Sequence, residues 1–204
     1  MLAEFNLMKK VYAFVICITV LCLSSYAAGN STITVDTIHA KNSSPKTYAD
    51  AGIKWMTLEQ AQEAQKKNPK KIFMSVYATW CRWCKMEDSV TFRNAEIADY
   101  INRNFYPVKF NAETKSTVTY KGKQFNFIKD ENYFVNELTP YLLNGKMSYP
   151  GTVIFDESAN VVNVRNGYIE PVYLELMLNY YGSNAYKQMK LEDFDDEFIG
   201  KVQE

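Results

Sequence analysis

The chain has 204 residues and no net charge, 23 basic side chains standing against 23 acidic ones. That sizes it for one domain with embellishments and leaves no basic footprint for nucleic acid. Its 15 Tyr and 12 Phe supply the large side chains of a substantial core and of aromatic surface contacts.

Met8-Lys9-Lys10, the apolar run Val11 to Leu23 and the small residues up to Ala28 have the three regions of a secretory signal peptide, with cleavage expected near Ala27 or Ala28. The apolar run is shorter than the roughly 18 to 20 residues that span a bilayer, so no stable membrane insertion is expected after cleavage. Removal of residues 1–28 discards Cys17 and Cys22 and leaves Cys81 and Cys84 as the cysteines of the mature chain. Residues 29–50, rich in Asn, Ser and Thr, read as a linker with a loosely attached strand over Thr32 to Val35. His39, the single histidine, is expected to be solvated there.

Ile53 to Met56 predicts a short strand, and Thr57 caps a helix from Leu58 to Lys67 that Asn68-Pro69 ends. The apolar run Ile72 to Tyr77 predicts a strand, and the helix that begins at the two following cysteines runs through Met86 and Val90. Asn94 starts another helix, with a core stripe of Ile97, Ala98, Ile101 and Phe105, and Tyr106 to Phe110 reads as a strand with Pro107 at its tolerated beginning. Residues 114–146 look inserted. They predict a hairpin of Thr117 to Tyr120 with Gln124 to Ile128, then a helix from about Asn132 to Leu143 closed by Asn144-Gly145. Thr152 to Phe155 and Val161 to Val164 form a second hairpin, and the last core helix runs from about Pro171 to Tyr181. The tail, 183–204, is acidic and repeats Leu191, Phe194, Phe198 and Ile199 at helical spacing, which suits docking on its own domain or on a partner.

The chemistry-bearing stretch is Trp80-Cys81-Arg82-Trp83-Cys84-Lys85. Residues i and i+3 share a helix face, so Cys81 at an exposed first turn and Cys84 behind it can close and reopen a small disulfide ring. A helix N-terminus favours thiolate over thiol, and Arg82 adds a cation. A structural disulfide or half a zinc site would use the same spacing. Against them stand the lone pair of cysteines, where exported structural disulfides are several and far apart, and the shortage of ligands beyond His39. Lys85 after Cys84 excludes the Cys-x-x-Cys-His pattern of haem attachment. No metal or organic cofactor is called for.

The element order, with Trp-Cys-x-x-Cys-Lys after a strand and Tyr149-Pro150 before a hairpin and a final helix, resembles the thioredoxin superfamily. It looks most like exported proteins related to the C-terminal domain of the reductant DsbD and to envelope disulfide reductases. The resemblance covers about residues 53–182, interrupted by 114–146. It implies an α/β, thioredoxin-like fold over 51–182, a central mixed β-sheet flanked by helices, with the inserted hairpin/helix segment and a helical acidic tail as additions. It implies Cys81 as the attacking and Cys84 as the resolving cysteine, with Trp80 beside them and Arg82 and Trp83 between them. It also implies a cis Pro150 facing the sulfurs, which leaves the backbone of Tyr149 to pair with a substrate strand, and Lys109 approaching the buried side. The chain departs from the family at Ser75, where many thioredoxins keep a buried carboxylate, and in having Arg-Trp between the cysteines.

The expected function is exported thiol–disulfide exchange in the reductive or isomerising direction; a thiol oxidase, or a binding or chaperone-like module with an incidental dithiol, are the rivals. Expected partners are protein or small-molecule disulfides and a membrane or soluble thiol electron donor, in a bacterial periplasm or envelope. Tyr120, Phe125, Phe127, Tyr133 and Phe134 suggest that the insertion packs near the active site and shapes access, the alternative being a self-contained extension of the core.

Overall fold

The computed structural model describes residues 52–129 and 134–203. The signal peptide, the linker, His39 and Tyr133 lie outside the described residues. Strand β1 (Lys71–Tyr77) is buried along all but its last residue. Its near-continuous apolar run is what a strand covered on both faces requires. β1 pairs in parallel with β2 (Phe105–Asn111) and antiparallel with β7 (Gly151–Phe155), and β8 (Val161–Asn166) completes a mixed sheet of order β2-β1-β7-β8.

Alternation along β1 then builds two cores. Ile72, Met74 and Val76 pack with Leu58 and Ala61 of α1 (Leu58–Lys67). Phe73 packs on the opposite face with Ile97 and Ile101 of α3 (Ala95–Asn104) and with Leu174 and Leu178 of α5 (Pro171–Gly182). Helix α2 (Arg82–Ser89) follows β1. α1 begins as expected, Thr57 and Gln60 forming a reciprocal capping box.

Three expectations need correction. Ile53 to Met56 is not a strand: only Met56 bridges Val108, while Asn102 donates to Gly52 O and accepts from Lys54 N, taking the preceding backbone out of register. The insertion holds two hairpins, β3–β4 (Val118–Tyr120, Lys123–Phe125) and β5–β6 (Phe127–Lys129, Phe134–Asn136), and its helix α4 spans only Leu138–Leu142. A helix from Asn132 would place Pro140 in its interior, where the ring clashes and an N–H is missing; in α4 it falls in the first turn. The tail is helical only in a 3₁₀ turn (Ala185–Lys187) and α6 (Leu191–Glu197).

That tail docks on its own domain. Phe194 meets Tyr180 at 5.4 Å, and the Glu175 carboxylate of α5 accepts the backbone N–H groups of Lys201 and Val202. Ile199 remains 92% exposed.

The insertion's aromatic residues are accounted for largely by the core. Tyr120 and Phe125 are buried with Leu138, Leu142 and Phe155, and the Tyr120 hydroxyl donates to Ala159 O at 2.6 Å, in the β7–β8 turn. Phe127 is half-buried and Phe134 exposed. Leu143 reaches Gly151, next to Pro150, where a Cβ would meet its methyl group at 2.9 Å. Phe155 is fully buried and meets Tyr120 at 5.7 Å. Phe155→Ala should therefore lower the free energy of unfolding in urea by about 3–5 kcal/mol; a loss below about 1 kcal/mol would contradict a core shared by sheet and insertion.

Candidate active site

β1 delivers the chain to the dithiol. Tyr77 O accepts Ala112 N at 2.8 Å, Cys81 N donates to Ala78 O at 3.1 Å, and Cys81 becomes the N-cap of α2, its sulfur accepting Cys84 N at 3.0 Å. Cys81 and Cys84 form a disulfide with an S–S distance of 2.07 Å and Cα atoms 5.3 Å apart. The expectation of an exposed Cys81 is corrected: it is 4% exposed against 2% for Cys84, because Ala78, Tyr77 and Tyr149 close around the pair.

The Tyr149–Pro150 bond is cis. Since Val76 pairs with Gly151 in the antiparallel β1–β7 ladder, Pro150 arrives at the same end of the sheet as the cysteines. Trp80 meets Tyr149 edge-on at 5.9 Å, and Trp83 meets Tyr168 at 5.7 Å. Trp80 and Trp83 are themselves 68% and 55% exposed, so an apolar collar surrounds the buried sulfurs. Arg82 is exposed beside it. Burial pushes the Tyr149 hydroxyl up to about 12, with Glu113 adding to the rise, and that oxygen has no hydrogen-bond partner.

Four residues of the site escaped the sequence reading. Glu113, just past β2, accepts Thr79 N at 3.1 Å, Thr79 Oγ1 at 3.0 Å and Trp80 Nε1 at 3.0 Å, so one carboxylate fixes the loop that carries Cys81. Parallel pairing of β1 and β2 brings their C-terminal ends together, a signal available once that pairing is assumed. Tyr168 is found only through the fold. The other two, Glu87 and Asp88, lie on α2 behind the dithiol.

Lys109 stands beside Ser75 in the β1–β2 ladder, donates to Ser75 Oγ at 3.2 Å and forms an ion pair with Asp88. Its ammonium also lies over the rings of Phe92 and Trp55, at 4.7 and 5.1 Å, as cation–π contacts require. Glu87, one turn beyond Cys84, is 1% exposed; one of its oxygens accepts Ile169 N at 3.3 Å and the other has no partner. Helical spacing predicts that Glu87 shares the buried face of Cys84, but its charge argued for the surface.

Burial lifts the Glu87 carboxyl from 4.5 to about 7; the Ile169 N–H and the Lys109 ammonium oppose the rise and Asp88 adds to it. The unfolded chain thus releases this proton near 4.5 while the folded protein keeps it until about 7. Stability should fall as pH rises through that window, by about 3 kcal/mol, and no further from this group above it. Unfolding titrations should show this fall in the native chain and its loss in Glu87→Gln, whereas parallel pH profiles would contradict the assignment. Glu113→Ala should remove three hydrogen bonds, free the Trp80 indole and shift its fluorescence; an unchanged spectrum would contradict the clamp.

A family profile, Thioredox_DsbH, described as a protein of unknown function (DUF255), matches residues 37–127. Spermatogenesis-associated protein 20 of Rattus norvegicus is 37% identical over 60 residues, 29% of this chain, and the match spans only 8% of that relative's length. Among solved structures, a thioredoxin-fold protein from Helicobacter pylori aligns with a TM-score of 0.47 at 19% identity, over 64% of this chain and 80% of the other. The oxidised DsbD C-terminal domain of Neisseria meningitidis aligns with a TM-score of 0.40 at 18% identity, over 62% and 90%. The β2-β1-β7-β8 order and the Cys81–Cys84 pair opening the helix after β1 give the chain a thioredoxin-like fold, and the profile matched over residues 37–127 spans this pair.

Proposed function

We propose that this protein is an exported thiol–disulfide oxidoreductase that reduces or isomerises disulfides through Cys81 and Cys84. The observation that carries the reading is the pair itself: two cysteines at the first turn of α2, already closed as a disulfide, at the sheet end where Pro150 also arrives. In the reductive cycle the Cys81 thiolate attacks a substrate disulfide and forms a mixed disulfide. Cys84 then attacks Cys81 Sγ, the substrate leaves as a thiol, and the protein ends oxidised. A thiol electron donor, in the membrane or soluble, returns the two electrons.

The reducing direction draws support from the charges behind the helix. Stabilised thiolates make strong oxidants; the Glu87 and Asp88 carboxylates oppose a thiolate, while the half-buried Lys109 is engaged by Asp88. The exposed Trp80 and Trp83, with Tyr149 and Tyr168, suit apolar segments of polypeptide substrates. The signal-like residues 8–28 support export to a bacterial periplasm or envelope.

Cys81→Ser should abolish reduction of a protein disulfide such as insulin's by a thiol donor, and Cys84→Ser should accumulate a substrate joined through Cys81. Undiminished turnover in Cys81→Ser would overturn the reading in favour of a binding module.

A further inference from the structure

The resolving step requires Cys84 to lose a proton while buried 2% exposed on the inner face of α2. Ser75, on the strand behind that face, accepts a hydrogen bond from the Lys109 ammonium, and a serine hydroxyl is no base at neutral pH. Asp88 is occupied by Lys109 and its side chain is 47% exposed.

Glu87 differs from both. It lies three residues after Cys84, within one helical turn on the same buried face. Helical side chains lean toward the N-terminus, so a side chain three residues after Cys84 is directed toward the turn that holds it. One of its oxygens is anchored by the Ile169 amide, and Thr91 ties the same residue by donating to Ile169 O at 2.8 Å. The second oxygen is buried with no hydrogen-bond partner, a costly arrangement for a group without a task.

We propose that Glu87 accepts the proton of Cys84 Sγ in the resolving step, directly or across one water. This rests on the thiol–disulfide reading above. The proton passes from Cys84 Sγ to Glu87 Oε2; the Cys84 thiolate forms the bond to Cys81 Sγ; the bond from Cys81 to the substrate sulfur breaks, and that sulfur leaves with the electron pair. The dithiol is oxidised and the substrate disulfide reduced, and the Glu87 proton is returned to solvent or to the leaving thiolate.

Burial supports the role by holding the carboxyl near 7, close to neutral pH, where a general base is most effective. The charges that act on it are the Lys109 ammonium from β2 and Asp88 from α2; the loop before α5 contributes the Ile169 amide. Oxidised Cys84 carries no charge, so the carboxylate and the thiol compete for one proton only once the disulfide opens.

The test uses the reduced full chain carrying Cys17→Ser and Cys22→Ser, so that Cys81 and Cys84 supply its thiols, and Ellman's disulfide. Attack by Cys81 releases one nitrothiobenzoate and leaves a mixed disulfide; attack by Cys84 releases the second, and this second phase is followed by stopped flow between about pH 5.5 and 9. In the native chain its rate should rise through about pH 7 and then level. Glu87→Gln, which keeps an acceptor for Ile169 N–H, should be about tenfold slower or more at pH 7 and should keep rising toward the ordinary thiol pKa of about 8.5. Glu87→Ala should match Gln if proton transfer is the role. A native-like profile in Glu87→Gln, with or without a defect in Glu87→Ala, would overturn the proposal and leave an anchor for Ile169. Absence of the second phase in the native chain would instead defeat the thiol–disulfide reading. A cooperative unfolding transition in each variant establishes that it is folded.

Discussion

The arrangement depends on β1 being paired on both edges and buried on both faces. A strand so held has a fixed end, and the dithiol is attached to that end by three residues, Ala78 to Trp80. The two ladders bring the remaining parts. Parallel pairing with β2 carries Asn111 to Glu113 to the same end, and antiparallel pairing with β7 starts Gly151 there, with Tyr149 and Pro150 just before it. Glu113 binds the intervening loop and Tyr149 packs on the cysteine pair, so three segments distant in sequence meet at the dithiol.

The site is electrostatically uneven. Its outer side presents the free N–H groups of α2 and the exposed Arg82 and Lys85, which favour a thiolate. Its inner side holds two carboxylates and one ammonium, and that ammonium already has Asp88 and three aromatic rings around it. The buried group on that side is Glu87, whose proton affinity is set by desolvation rather than by a partner. The outer charges act through water and are screened; the buried Glu87 is screened much less. That balance is what favours the reducing direction in the function proposed above.

Much of this was legible in sequence because it rests on periodicity and on residues with strong local preferences. The dithiol helix, the Thr57 cap, the Asn94 cap and the Pro171 start all follow from short-range chemistry. The insertion was harder. Val135 and Leu138 fit a helical stripe, and only the cost of an interior Pro140 separates the helix from the observed strand and short helix. Glu113 and Glu87 are invisible to pattern reading for a different reason: their roles come from where strands and helices converge, and acidic side chains are ordinarily assigned to solvent.

The most direct measurement is the reduction potential of the Cys81–Cys84 pair, obtained by equilibrating residues 29–204 with thiol–disulfide buffers and trapping free thiols. The account predicts a reversible two-electron transition close to thioredoxin's value of about −270 mV; a potential near about −120 mV would mark an oxidant of folding proteins and contradict it.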